Sequence, residues 1–299
     1  MNSLVKNIGK TPIVQLNKLA GKNIFVNLAY LNPSGSIKDV MAKYIIEKAE
    51  KKGELKKGTT ILEATSGNTG VSFAMLCAIK GYKFVAIMPE NLSLERVTMM
   101  KAYGAKVILT PAKKDMAGAV EKLNYLLKTM KNVWSPKQFE NEDNIRAHEL
   151  INGREIARTL GKVDVIITGV GTGGTLIGTA RALKKINPDL KVVAIEPYES
   201  AVLSGKKPGV HNIQGIGEGF IPDLMKKEHF DLILPIKTKD AERMAVKIAK
   251  KEGLFVGICS GANLLGAIKA SKIFGKNKKI VTYFTDNGAR YFSTGIFGK

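Results

Sequence analysis

From residue 39 onward the chain alternates between short apolar runs and longer amphipathic ones, and that alternation decides most of what it can fold into. The apolar runs predict strands over 60–63, 83–88, 106–109, 163–168, 192–196, 231–235 and 279–284. Between them, helical spacing predicts helices over 39–52, 68–80, 93–103, 116–131, 145–160, 174–185, 240–250 and 261–274. Val40, Met41, Tyr44, Ile45 and Ala49 lie on one face of such a helix, and Gly81 and Gly104 read as helix stops. Strands alternating with helices imply an α/β protein in which parallel sheets are covered by helices. The 299 residues suffice for two such units. The pattern breaks into polar residues at 135–144, the expected seam between them.

Composition narrows the function classes. Hydrophobic residues make up 44% and charged residues 24%, a globular balance. The net charge is +21, which raises a nucleic-acid reading. The lysines are scattered, however, as at Lys48, Lys51 and Lys52 in one helix, and no basic stripe is interleaved with aromatics. A solvated basic surface is expected, with no specific nucleic-acid partner. Cys77 and Cys259 are far apart and form no CxxC, against a disulfide framework or a metal knuckle. No metal site is expected, and a reducing cytoplasmic setting fits. Residues 1–16 carry no signal-peptide pattern, and no run is long enough to span a membrane.

Three glycine-rich patches interrupt the alternation, at 65–70, 169–175 and 214–219. Each adjoins a strand end, where α/β folds bind ligands. Gly169-Val170-Gly171-Thr172-Gly173-Gly174-Thr175 follows a predicted strand and opens a predicted helix. Glycines allow backbone N–H groups close approach to an oxygen, the helix N-terminus adds partial positive charge, and Thr172 and Thr175 bring hydroxyls. A phosphate would be held well there. The same stretch matches GxGxxG at Gly169, Gly171 and Gly174, with Glu196 following at a strand end. A nicotinamide oxidoreductase therefore stands level from this window alone. Its mid-chain position, and the lysine described next, weigh against it.

Asn32-Pro33-Ser34-Gly35-Ser36-Ile37-Lys38-Asp39 is a turn-forming run that ends at a helix start. Ser36 is the expected N-cap, with Asp39 three residues on. That sets Lys38 in the first turn, where the helix dipole disfavours an ammonium and lowers the amine's pKa. Alone, such a lysine is a solvated surface residue. Together with a phosphate cradle it is what pyridoxal phosphate requires: a Schiff-base amine and an anion site.

These strings resemble the cysteine synthase and cystathionine β-synthase family, and the resemblance extends over nearly the whole chain. It rests on residues 8–14, the Lys38 motif, Thr65-Ser66-Gly67-Asn68-Thr69-Gly70, Pro136-Lys137-Gln138-Phe139-Glu140-Asn141, residues 214–222 and Gly257-Ile258-Cys259-Ser260-Gly261-Ala262-Asn263. It implies a fold-type-II pyridoxal 5'-phosphate enzyme of two three-layer α/β domains. The smaller, mobile domain would span 35–146, with 1–12 packed against it. The larger would comprise 13–34 and 147–299. It implies Lys38 as the catalytic lysine bound to the cofactor. Gly171, Thr172, Gly173, Gly174 and Thr175 would hold the phosphate, Asn68 the ring oxygen and Ser260 the pyridine nitrogen. A neutral partner for that nitrogen makes a weaker electron sink, which suits β-elimination over transamination. Thr65, Ser66, Gly67, Asn68 and Thr69 would hold a substrate carboxylate, with Gln138 and Gly215 nearby. His148 matches a family histidine, expected to be structural.

The implied reaction is β-replacement through an aminoacrylate, O-acetylserine plus sulfide giving cysteine plus acetate. The implied partners are a small amino acid, sulfide or a thiol, a second copy in a homodimer, and a serine acetyltransferase. Glu218 departs from the family, which carries a small residue there. A carboxylate would repel anions, yet could bind an ammonium or act as a general base. That opens an alternative in which cysteine is the first substrate, hydrogen sulfide leaves, and serine or lanthionine forms. The plain reading is a solvent-facing loop residue. Val40 and residues 142–145 also depart from the family pattern, without removing a catalytic group.

Overall fold

A computed structural model describes residues 3–298. The strands are β1 (Ile13–Gln15), β2 (Ile24–Asn27), β3 (Thr60–Ala64), β4 (Lys83–Pro89), β5 (Lys106–Thr110), β6 (Val133–Trp134), β7 (Val165–Gly169), β8 (Lys191–Pro197), β9 (Leu232–Ile236) and β10 (Ile280–Tyr283). The helices are α1 (Ser3–Lys6), α2 (Lys38–Lys51), α3 (Asn68–Lys80), α4 (Leu94–Ala102), α5 (Asp115–Thr129), α6 (Glu142–His148), α7 (Arg154–Leu160), α8 (Gly174–Lys184), α9 (Thr238–Glu252) and α10 (Ile258–Phe274).

The strands form two sheets, ordered β1-β2-β10-β7-β8-β9 and β5-β4-β3-β6. Only β1 runs antiparallel to its neighbour. Alternate residues of a strand face opposite sides, and here both sides are covered. In the larger sheet Val165, Ile167, Val193 and Ile195 pack with Ala262 and Leu264 of α10. Ile166, Val192 and Ala194 pack with Leu176 and Ile177 of α8. In the smaller sheet Ile61, Phe84, Ala86 and Met88 meet Phe73 and Leu76 of α3. Leu62, Ala64, Val85 and Ile87 meet Met116 and Leu123 of α5. Two-sided burial explains why these strands read as continuous apolar runs rather than alternating ones.

All seven predicted strands and eight predicted helices are present, with ends displaced by up to three residues. Three strands were not predicted. β1 and β6 lie at sheet edges with two or three residues, and β2 has four, too few to show a period. The helix predicted over 145–160 is composite. It starts at Glu142, where the Asn141 side chain accepts from the Asp143 N–H at 2.9 Å, and a π-helical stretch, Glu149–Gly153, separates α6 from α7. Among the described residues no helix is long and apolar enough to cross a membrane.

Candidate active site

The lysine loop is tied to the segment that follows β10 before α2 begins. Ser36 bridges Asp286, and the Ile37 N–H donates to the Thr285 carbonyl at 2.8 Å. The expected Ser36 cap is corrected: Ile37 holds the cap position, in helical conformation, and Ser36 Oγ only accepts a long 3.4 Å bond from the Lys38 N–H. Asp39 turns inward, accepting from the Ser34 N–H at 2.7 Å and the Ser72 hydroxyl at 2.6 Å. Lys38 projects into a cleft between the sheets. Its pKa is lowered mainly by burial, against the opposing pull of Glu218, Cys259 and Asp286.

Strand β3 delivers the second loop. Ser66, Asn68 and Thr69 line the cleft. Thr69 Oγ1 donates to Gln138 Oε1 at 2.7 Å, and Gln138 Nε2 donates to the Ala64 carbonyl at 2.8 Å, so Gln138 is locked to the same wall. Gly67 sits at φ +129, and a Cβ there would lie 2.1 Å from Cδ of Arg96. Thr65, expected beside the substrate, is fully buried instead. Its hydroxyl oxygen accepts from the N–H groups of Gly67 and Gly70 at 2.9 and 3.2 Å and shapes the loop.

The third element is the turn between β7 and α8. Gly171, Thr172, Gly173 and Thr175 line the cleft, together with Gly215. Gly173 takes φ +85. A Cβ on Gly171 would meet the Gly215 carbonyl oxygen at 2.5 Å, and one on Gly174 would meet Asn144 Oδ1 at 2.1 Å. Glycine is required there by space as well as by conformation. Ser260 lies beneath the floor, fully buried in the first turn of α10. Its Oγ accepts from the N–H of Thr285, itself a cleft residue, at 3.0 Å.

Glu218 is half-buried at the mouth of the cleft. It lines the cleft, accepts from Ser66 Oγ at 3.3 Å, and has its pKa pushed up to about 7, chiefly by burial. The Lys38 ammonium opposes that shift and Asp115 adds to it. Glu196, the acid of the nicotinamide reading, is buried and bonds the Leu203 N–H at 2.8 Å and the Ser204 hydroxyl. Its carboxylate is already engaged and offers nothing to a ribose.

Sequence reading missed a buried ionic cluster behind the cleft. Arg96 and Asp286 pair at 3.3 Å, both about 1% exposed. Asn68 Oδ1 accepts from Arg96 Nε at 3.2 Å and from a terminal Arg290 nitrogen at 2.6 Å, while its Nδ2 donates to Asp286 at 2.8 Å. Arg96 also reaches Gln214. The cluster joins residues from both sheets' connections, and no local spacing signals it.

The cleft thus combines a buried amine with a glycine turn whose Cβ positions are already filled, at the N-terminus of α8. Those features fit pyridoxal 5'-phosphate. Residues 4–286 match the family described as pyridoxal-phosphate dependent enzymes. The chain belongs to that family. A cysteine synthase of Staphylococcus aureus is 45% identical over 302 residues, 99% of this chain and 97% of that one. The cysteine synthase of Entamoeba histolytica superposes with a TM-score of 0.92 at 42% identity, covering 100% of this chain and 91% of that one. A hydrogen sulfide-producing enzyme of Fusobacterium nucleatum superposes at 0.93 with 42% identity, covering 97% and 99%. This member of the family is a pyridoxal-phosphate dependent enzyme.

Proposed function

We propose that the cleft carries out β-replacement on a three-carbon amino acid, O-acetylserine plus sulfide giving cysteine plus acetate. The observation that carries this reading is Lys38, an amine with a lowered pKa in the same cleft as the glycine turn and the 65–70 loop. Gly171–Thr175 would seat the phosphate, Ser260 would stand at the pyridine nitrogen, and Asn68 would hold the ring oxygen. The bound cofactor supplies an electron sink that acidifies the substrate's α-C–H and lets the β-substituent depart. Lys38 Nζ removes the α-proton and later returns it to the same carbon. Ser66, Thr69 and the backbone at the start of α3 hold the substrate carboxylate against the helix N-terminus. Gln138, fixed by Thr69 and Ala64, keeps that wall rigid. Residues 35–146 would move as a lobe against the remainder and exclude water when Ser66 meets Glu218.

A second reading is favoured by Glu218. A carboxylate titrating at about 7 is matched to general-base work near neutral pH. Placed over the cleft, it would activate water or a second thiol, so that cysteine is consumed and sulfide leaves. A paired assay on cofactor-loaded protein separates the two. One arm supplies O-acetylserine and sulfide and follows cysteine; the other supplies cysteine alone and follows sulfide, serine and lanthionine. Dominant cysteine formation untouched by Glu218→Ala supports the first reading. Sulfide release that collapses in the variant supports the second, and absence of both products would end the β-replacement proposal.

The wider setting belongs to the same proposal: a cytoplasmic homodimer, with serine acetyltransferase as a further partner. Exposed Leu94, in a groove with Met99 and Tyr103, offers apolar surface for a second copy. Sedimentation of the purified protein, alone and with the acetyltransferase, tests both associations.

A further inference from the structure

Two hydroxyls face the glycine turn, and their hydrogen-bond partners differ in kind. Thr172 Oγ1 accepts from Asn144 Nδ2 at 2.9 Å and from the Gly174 N–H at 3.3 Å. Both partners are donors, so the Thr172 hydroxyl hydrogen is free to point at a bound anion. Thr175 Oγ1 lies instead 3.2 Å from Nε2 of His148, a nitrogen that accepts in one tautomer and donates in the other. His148 is fully buried, and burial pushes its pKa down to about 3, so the ring carries one proton. The Lys38 ammonium further disfavours a second.

The other ring nitrogen settles where that proton sits. His148 Nδ1 is 2.8 Å from Oδ1 of Asn152, a carbonyl oxygen that can only accept. With the amide in that orientation the proton lies on Nδ1, Nε2 accepts, and the Thr175 hydroxyl hydrogen is directed at the imidazole and away from the cleft. The Asn152 Nδ2 group is buried without a partner among the described residues. An unpaired buried donor is costly, and a half-turn of the amide exchanges it for an unpaired carbonyl oxygen, which is better tolerated. Nδ2 would then donate to Nδ1, the proton would sit on Nε2 and donate to Thr175 Oγ1, and the Thr175 hydroxyl would be released toward the cleft. Asn152 belongs to the π-helical stretch Glu149–Gly153, with His148 immediately before it, an irregularity often found at functional sites.

We propose that His148 and Asn152 form a tautomer switch beneath the phosphate turn: an anion seated on Gly171–Thr175 reverses the proton on His148 and makes the Thr175 hydroxyl a second donor beside Thr172. No proton is gained or lost; one moves from Nδ1 to Nε2 as the amide turns. His148 is a positioning residue, acting through Thr175. The inference rests on the reading that this turn seats the cofactor's phosphate.

Histidine-selective nitrogen NMR tests it. The chain has three histidines, and His148→Gln identifies the signal. In protein stripped of cofactor, Nδ1 should show the protonated signal; saturating inorganic phosphate or pyridoxal phosphate should exchange the two. An unchanged tautomer, while the Gly171, Gly173 and Gly174 amides respond, would overturn the switch and leave the phosphate site standing. Amides that do not respond would remove the site and the switch together. Thr175→Val should weaken pyridoxal phosphate about tenfold while binding of phosphate-free pyridoxal holds, and His148→Phe, which frees the hydroxyl without a switch, should weaken neither ligand. Equal losses for both ligands would reduce His148 to packing and refute the proposal.

Discussion

If Glu218 is the base that activates the second substrate, sulfide release from cysteine should climb with pH through the titration of one half-buried carboxyl group. A carboxyl raised to about 7 is mostly protonated, and idle as a base, below that pH; above it the ionised form acts. For a single group of that pKa the ionised fraction rises from about a tenth at about pH 6 to about nine tenths at about pH 8, so the rate should grow roughly tenfold. The perturbation is Glu218→Gln, which keeps the shape and removes the titration. It should flatten that limb and lower the rate by ~10²–10⁴-fold, the usual contribution of a positioned base. The causes of the shift allow a finer check. Asp115 helps to raise the pKa, so Asp115→Asn should move the inflection toward lower pH. The assay is initial-rate sulfide detection across the pH range, wild type against variant, with the O-acetylserine reaction as control. A Glu218→Gln enzyme that keeps the wild-type limb would refute the reasoning, as would an inflection at the ordinary carboxyl value of 4.5.

Lys38→Ala should abolish the visible absorbance of covalently bound cofactor and reduce turnover at least ~10²-fold, checked by spectrum and single-turnover assay. In Gly171→Ala the new Cβ would press on the Gly215 carbonyl, which is backbone and cannot swing aside; cofactor affinity measured by absorbance titration should fall at least about tenfold, and the melting temperature should fall with it. Phe73 is fully buried and stacks on Phe84 at 5.9 Å, so Phe73→Ala should cost about 3–5 kcal/mol in urea unfolding. Gly253 caps α9 at φ +71 with open space around it; Gly253→Ala should lose only about 1 kcal/mol, from backbone strain without a clash.

The sequence disclosed most where chemistry and local geometry coincide. Helix α3 was legible to the residue because Gly67 and Gly81 bracket an apolar run, both at positive φ. Buried strands such as β4 announced themselves as unbroken apolar runs. The Gly169–Thr175 turn and Lys38 were legible because each motif is contiguous, and the fold had only to bring them to one cleft. What escaped was non-local. Arg96 looks like any helix-surface arginine among 47 basic residues, and only the folded chain buries it against Asp286. The structural position of Thr65 was hidden for a related reason: a hydroxyl that could face a substrate can equally bond the amides two and five residues ahead. The engagement of Glu196 by Leu203 and Ser204 likewise undoes a fingerprint that sequence spacing alone left standing.

Strand β10 has a consequence for how the chain assembles. It lies between β2 and β7 and pairs in parallel with both, joining residues 280–283 to residues 24–27 on one side and to 165–166 on the other. While a ribosome is still making the chain, the smaller sheet has all its strands once residue 134 has emerged. The larger one stays in two halves, with the edges of β2 and β7 unpaired, until residue 283 is free. Ladders between such distant segments form slowly, and open edges are sticky while they wait. Nascent chains arrested before β10 should therefore display a protease-resistant core from the smaller sheet alone, with β1 and β2 still digestible.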